Sequence, residues 1–422
     1  MRIEWRYTAA HIKRLWLILM GLGLFGQGID ELKDVRLKAV IASIQKNNAW
    51  TMEQQVSICE IAAPPFGEAE RGKQYARRLT ALGMEDVRTD SEGNVISRLP
   101  GAKSAKPLIV FSAHLDTVFP AGMDVKVRPE GSRLKGLGIG DDCRGLAVVL
   151  AVAKAYREAK VQTKGKVLIV ATVGEEGQGD LRGVRHLFSK ELKGQVDAFI
   201  SVDRAGFRLA SRGVGSNRYK VTYKGRGGHS YGAFGMPNPA HAMGRAIARI
   251  TDIQVPQTPR TTFNVGTVTG DTSVNSVPIE VSMELDLRSE SPKELAALDE
   301  RLRAALQYEL DAGKARWPES KAPLDLKIDV MGLRPAAEPG DEQPIVQKAM
   351  ASAKALGLPL FATGSGSTDS NLPMSLGIPA VTISGGRRSP NAHSIDEWFE
   401  EGEDGYKATQ WAALLVAMLA GL

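Results

Sequence analysis

The chain is poor in cysteine. Its 422 residues hold two, Cys59 and Cys143. A disulfide framework is excluded, and without a CxxC spacing so are thiolate metal and redox motifs. Any bound metal must use histidine and carboxylates, and histidine is itself scarce, at six. No basic run is interleaved with aromatics. The balance of 54 basic and 48 acidic residues leaves a scattered +6, so nucleic acid is not an expected partner. There is no internal repeat and no low-complexity tract. What is present is an ordinary globular composition, 43% hydrophobic and 24% charged, in a chain long enough for a large core and two or three domains.

The N-terminus is distinct. Arg2, Arg6, Lys13 and Arg14 precede the apolar stretch Leu15 to Phe25. A basic segment followed by a short apolar one reads as a secretory signal, and it is too short for a comfortable membrane span. Gly26 or Gly28 offers the best cleavage point. We expect export. The alternatives are an uncleaved anchor, which would give the only membrane contact, or an amphipathic helix on a cytoplasmic protein.

From residue 30 onward helices and strands alternate. Residues 34–60 read as helical and end before AAPPFGE, whose prolines stop a helix. Helices are predicted over 69–82 and 144–159, and buried strands over 108–113, 167–173, 198–202 and 378–383. This alternation implies an α/β fold with a mainly parallel sheet flanked by helices. The middle of the chain has another rhythm: strand 219–224, helix 239–250, strands 261–268 and 281–287, helix 292–310, strand 324–330. That β-α-β-β-α-β order is a ferredoxin-like unit. The expected division is a signal or anchor segment at 1–29, a first catalytic part at 30–214, the inserted unit at 215–331, and a second catalytic part at 332–422.

The most informative motif is VLIVATVGEEGQGD, where Glu175 and Glu176 end an apolar strand. Adjacent buried carboxylates repel unless a cation or shared proton intervenes. A helix N-terminus would be the plainer explanation. Other acids and histidines also sit at predicted strand ends, where open α/β sheets place ligands. In AHLDTV, His114 and Asp116 are two apart and face one way in extended chain. In GLGIGDDCRG, Asp141 or Asp142 suits a helix N-cap, or a carboxylate between two ions. Asp203 ends the strand in SVDRAG, and His393 lies in NAHSIDEW. This set fits two zinc-class ions. His11, His186 and His241 fit no motif and read as structural or exposed.

HLD, GIGDDCRG, GEEG, VDRAG, GGHS, NSVP, DLRS and the AHS-to-DE segment follow one another as in the co-catalytic dizinc exopeptidases and deacylases, which the chain resembles over about residues 45–420. That family includes peptidase T, carboxypeptidase G, aminoacylase and acetylornithine deacetylase. The resemblance implies two divalent metal ions, zinc first with Co2+ or Mn2+ as alternatives. It gives His114, Asp142, Glu176, Asp203 and His393 as metal ligands, with Asp142 the bridge and a cis peptide after it. It makes Glu175 the general base, Asp116 the orienting partner of His114, and His229 an oxyanion donor. Arg288 and Asn275 would hold substrate, and Gly364 to Asn371 would line the pocket. The inserted unit would be a lid and dimerisation domain, implying a homodimer. Aspartate rather than glutamate at 203 resembles the di- and tripeptidases of the peptidase T side. The implied activity is removal of the N-terminal residue from short peptides, with an N-acyl-amino-acid deacylase or carboxypeptidase as the alternative. A binding protein that kept the fold but lost catalysis is the remaining one.

Overall fold

The structure is a computed structural model that describes residues 30–270, 273–360 and 363–422. The signal-like segment and His11 lie outside the described residues. The chain divides into two compact units, the second of which, Arg212–Glu338, is inserted within the first. The expected insertion ran from 215 to 331. It extends further because its last strand continues to Arg334 and Ala337 still pairs with Gly213.

The first unit is built on an eight-stranded sheet. Its strands in chain order are β1 (Glu85–Thr89), β2 (Val95–Arg98), β3 (Leu108–His114), β4 (Lys166–Thr172), β5 (Ala198–Val202), β6 (Leu209–Gly213), β7 (Thr363–Gly366) and β8 (Ala380–Ile383), and their spatial order is β1-β2-β4-β3-β5-β8-β6-β7. The centre is parallel: β3 pairs with β4 and β5, and β5 with β8. The margins are antiparallel, β1 with β2, β2 with β4, and β8 with β6. Every residue of β3 and β5 is buried, as continuous β-branched runs predict for strands covered on both faces.

Two buried helices cover much of this sheet. Cys143–Glu158 is apolar nearly all round and packs against β3 and the helices Val35–Lys46 and Asn48–Cys59. The C-terminal helix Tyr406–Ala420 is as deeply buried, and its Trp411 indole donates to the Ala349 carbonyl at 2.9 Å. The helical stretch expected over 34–60 is two helices, broken at Asn47, whose backbone leaves the helical region at ψ 19°.

The second unit has four antiparallel strands in the order Thr261–Gly270, Glu280–Ser289, Gly215–Gly225, Leu324–Arg334. Period-two burial of Val281, Met283, Leu285 and Leu287 faces two helices, Pro239–Thr251 and Pro292–Ala315. The strand and helix order is the ferredoxin-like one that the sequence predicts.

Candidate active site

Parallel neighbours end at the same edge of a sheet. That is why residues far apart in sequence meet here: His114 closes β3, Glu175 and Glu176 follow β4, and Asp203 follows β5. Asp141 comes from the turn before helix Cys143–Glu158, and His393 from the loop after β8. Three overlapping groups of metal-ligating side chains result: His114, Asp141 and Asp203; Asp141, Glu176 and His393; and His114, Glu175 and Glu176. Within each, the ligand atoms lie within 4.8 Å of one another.

Asp141 is common to two of these groups. Its carboxylate meets His114 Nε2 at 3.2 Å, His393 Nε2 at 3.1 Å and Arg204 Nε at 2.9 Å. This corrects the assignment of Asp142. Asp142 Oδ1 accepts the Gly145 N–H at 2.9 Å and caps helix Cys143–Glu158, while Oδ2 accepts the His114 N–H at 3.1 Å. Both of its oxygens are committed to backbone, so it belongs to none of the groups. The cis peptide likewise lies one position earlier than expected, at Asp141–Asp142.

Asp116 partners His114 as expected, though chiefly through its main chain. His114 Nδ1 is 3.0 Å from the Asp116 main-chain carbonyl but 3.6 Å from its carboxylate, so the carbonyl orients the ring. The carboxylate instead accepts the N–H groups of Glu175 at 3.0 Å and Glu176 at 2.8 Å. It clamps the backbone of the glutamate pair. Glu68, buried at 3% exposure, accepts the Gly174 N–H at 3.0 Å and pairs with Arg182 at 2.7 Å. Gly174 turns the chain at φ 63°, and a Cβ there would meet the Arg182 side chain at 2.5 Å. Glu397, in the loop before Trp398, accepts the N–H groups of Gly138, Gly140 and Asp141. Glu68, Arg204 and Glu397 carry no assignment from the sequence.

The electrostatics match a site built for cations. Burial opposes ionisation of Asp141, yet its bonds to His114 and His393 outweigh this and hold its carboxyl well below the usual carboxylate range. Bonds to Asp141 and Glu176 lift His393 to about 10. Burial, then the Asp141 charge, raises Asp203 to about 7. Asp203 Oδ1 is buried without a hydrogen-bond partner among the described residues. An orphaned carboxylate oxygen on a residue grouped with His114 and Asp141 fits a divalent ion. His393 and Arg204 hold left-handed backbone, at φ 70° and 64°, a conformation that non-glycine residues adopt at functional sites when their surroundings enforce it.

His229, Arg288 and Asn275, also singled out by the resemblance, lie in the second unit. His229 is exposed, and its Nδ1 accepts from the N–H groups of Tyr231 at 3.3 Å and Gly232 at 3.4 Å. That leaves Nε2 available as a donor. Arg288 donates to Asp286 at 2.7 Å, and Asn275 Oδ1 accepts from Ser273 at 3.0 Å. In the first unit, the Gly364 to Asn371 loop carries Asp369, buried and bonded to Thr172 at the end of β4.

Residues 110–417 match the model of peptidase family M20/M25/M40. Carboxypeptidase G2 from Pseudomonas sp. (strain RS-16) is 28% identical over 366 residues, covering 82% of this chain and 84% of that protein. The aminopeptidase PepT from Bacillus cereus ATCC 10987 superposes with a TM-score of 0.68 at 21% identity, covering 89% of this chain and 98% of that one. The Bacillus subtilis YXEP protein, a dinuclear metal binding peptidase from the M20 family, gives 0.63 at 18%, covering 89% and 99%.

Proposed function

We propose a reaction from one premise: the chain belongs to peptidase family M20/M25/M40 and is therefore a metal-dependent hydrolase. The reaction we infer is removal of the N-terminal residue from short peptides. The observation that carries the chemistry is Asp141, shared by two ligand groups with Glu175 beside them. His114, Asp141 and Asp203 would hold one ion, and Asp141, Glu176 and His393 the other. Two such ions, zinc before cobalt or manganese, supply Lewis acidity toward a water and the scissile carbonyl when bound.

The chain's own residues supply the proton transfers and the positioning. Glu175 is buried in the group with His114 and Glu176. It takes a proton from the attacking water and returns it to the leaving amine, as a general base and then an acid. It does so from a fixed place, because Asp116 holds its amide and that of Glu176. Replacing Glu175 with glutamine should keep two metal equivalents and lower kcat by at least 10²-fold. A variant that turns over at the wild-type rate would falsify the base assignment.

The choice of an N-terminal substrate rests on the short Asp203 side chain and on the aminopeptidase neighbour. The similarity to carboxypeptidase G2 favours a second reading, cleavage at a C-terminal carboxylate or of an N-acyl group, for which Arg204, 54% exposed at the site, offers a cation. Leu-Gly-Gly, an N-acetyl amino acid and an N-blocked dipeptide separate the two. Release of leucine from the first alone fits the proposal. Hydrolysis of either blocked compound alone supports the second reading.

A further inference from the structure

We propose that Asp90, His186 and Glu191 form a separate metal site, at the margin of the large sheet, for a divalent ion of the zinc class. Their ligand atoms lie within 4.8 Å of one another, as those of the candidate active site do. The three share no residue with that site.

The local backbone creates this grouping. Helix Arg182–His186 continues as a π-helical turn, Leu187–Glu191, closed by the Leu192 N–H on the Leu187 carbonyl at 2.7 Å. In an α-helix, residues five apart point about 140° from one another. The wider π turn brings them onto one face, and such turns recur at functional sites. His186 Nε2 and Glu191 Oε1 consequently stand 3.8 Å apart.

Asp90 faces them from the turn between β1 and β2. Its Oδ1 accepts the N–H groups of Glu92, Gly93 and Asn94 at 2.9–3.0 Å, and Oδ2 accepts from Asn94 Nδ2 at 2.7 Å. That rigid carboxylate is fully buried and presents Oδ2 to His186 Nε2 at 4.0 Å. Separations of 3.8 and 4.0 Å exceed hydrogen-bond contact. Donors around a tetrahedral ion at roughly 2.0–2.2 Å stand about 3.3–3.6 Å apart, so a closure of a few tenths of an ångström would seat one.

The surroundings are those of oriented ligands. Arg88 holds Glu191 Oε2 at 3.0 Å, leaving Oε1 for the ion, and Asn94 braces Asp90. Two carboxylates against one guanidinium leave about one net negative charge, which attracts a dication. One nitrogen with two oxygens selects the zinc class over calcium or magnesium, which prefer oxygen alone. Ser91 Oγ, 3.3 Å from His186 Nε2, or a water completes four donors. A bound ion would tie the β1–β2 hairpin to the helix beside it and secure the free edge of the sheet.

The test is metal stoichiometry. Zinc-loaded protein freed of excess ion by gel filtration should carry three equivalents, and His186→Gln two, with an unchanged circular dichroism spectrum. In a chain whose active-site ligands are removed by Asp141→Asn and Glu176→Gln, one equivalent should remain and should raise the melting temperature. Adding His186→Gln there should abolish both. Two equivalents in the wild type, or a count unmoved by His186→Gln, overturns the site. Loss of the other two ions bears only on the proposed function. If the double variant does not fold, the single His186→Gln count still decides.

Discussion

Exchanging the two adjacent aspartates for asparagine, one at a time, separates the carboxylate proposed to hold the ions from the one that holds the backbone. Asp142 uses one oxygen for the Gly145 N–H and the other for the His114 N–H. Asparagine keeps one of these, since it caps helices as well as aspartate does. The other buried N–H then faces an amide donor and goes unsatisfied, at about 1–3 kcal/mol. Alanine loses the cap as well, for a total of about 2–4 kcal/mol. Asp142→Asn should therefore lower the urea midpoint while two metal equivalents remain. Asp141→Asn should do the reverse. Its carboxylate lies among His114, His393 and Arg204, so the amide removes a donor common to both groups. Metal should fall below one equivalent, with turnover down by 10³-fold or more, about 4 kcal/mol at tenfold per 1.36 kcal/mol. Elemental analysis, urea titration and peptide turnover on both variants suffice. If Asp142→Asn empties the site while Asp141→Asn keeps both ions, the assignment made from the geometry is wrong.

Glu68→Ala should leave the Gly174 N–H and the Arg182 Nη2 without their acceptor, costing about 1–3 kcal/mol; it should lower kcat more than it raises KM, and an unchanged kcat would sink the idea that Glu68 holds the glutamate turn. Metal-free protein should lose stability as pH rises. Burial, before any neighbour, raises Asp203 to about 7 and Glu397 to about 8. Both bind protons more tightly folded than unfolded, so their contribution is complete below about pH 4 and is lost as pH climbs through 7 and 8. Melting in chelator across pH 5–8 should show this slope, and Glu397→Gln should flatten it; a Tm that rises with pH would contradict both shifts. Trp411→Ala should cost about 3–5 kcal/mol, read from denaturant midpoints, because the ring is wholly buried and its N–H bonded.

The central strands and helices were legible because burial on both faces demands continuous apolar runs. The strand at Ala198–Val202 falls where the sequence puts it, and β3 and β4 within a residue. The margins of the sheet were not. EDVRT in β1 and TGSG in β7 have little apolar pattern and hold no fully buried residue. They are strands because a neighbour's backbone pairs with them, a tertiary fact that local sequence does not carry. The π turn after His186 is equally silent in sequence, which is why that histidine read as structural or exposed.

At the site, residue types were legible but the division of labour among acids was not. Asp116, Asp142 and Glu397 are buried carboxylates whose oxygens grip the amides of Glu175, Glu176, His114, Gly138, Gly140 and Asp141. Charge-assisted bonds to backbone N–H offset the cost of burying an acid much as a metal ion would. In a sequence the two uses look the same, and GDD offers both side by side. The helix start decides between them. A cap accepts the N–H three residues on, so the helix that begins at Cys143 claims Asp142 for Gly145 and leaves Asp141 as the shared candidate ligand. It follows that moving the cap should move the chemistry. Inserting one alanine after Asp142 would displace the helix start by a residue and pull Asp141, one position before the cap, out of register with His114 and His393. Such a chain should fold less stably and bind metal weakly even though every proposed ligand is still present. Full metal content with wild-type turnover in that insertion variant would show that the ligands alone, and not the acids behind them, set the geometry.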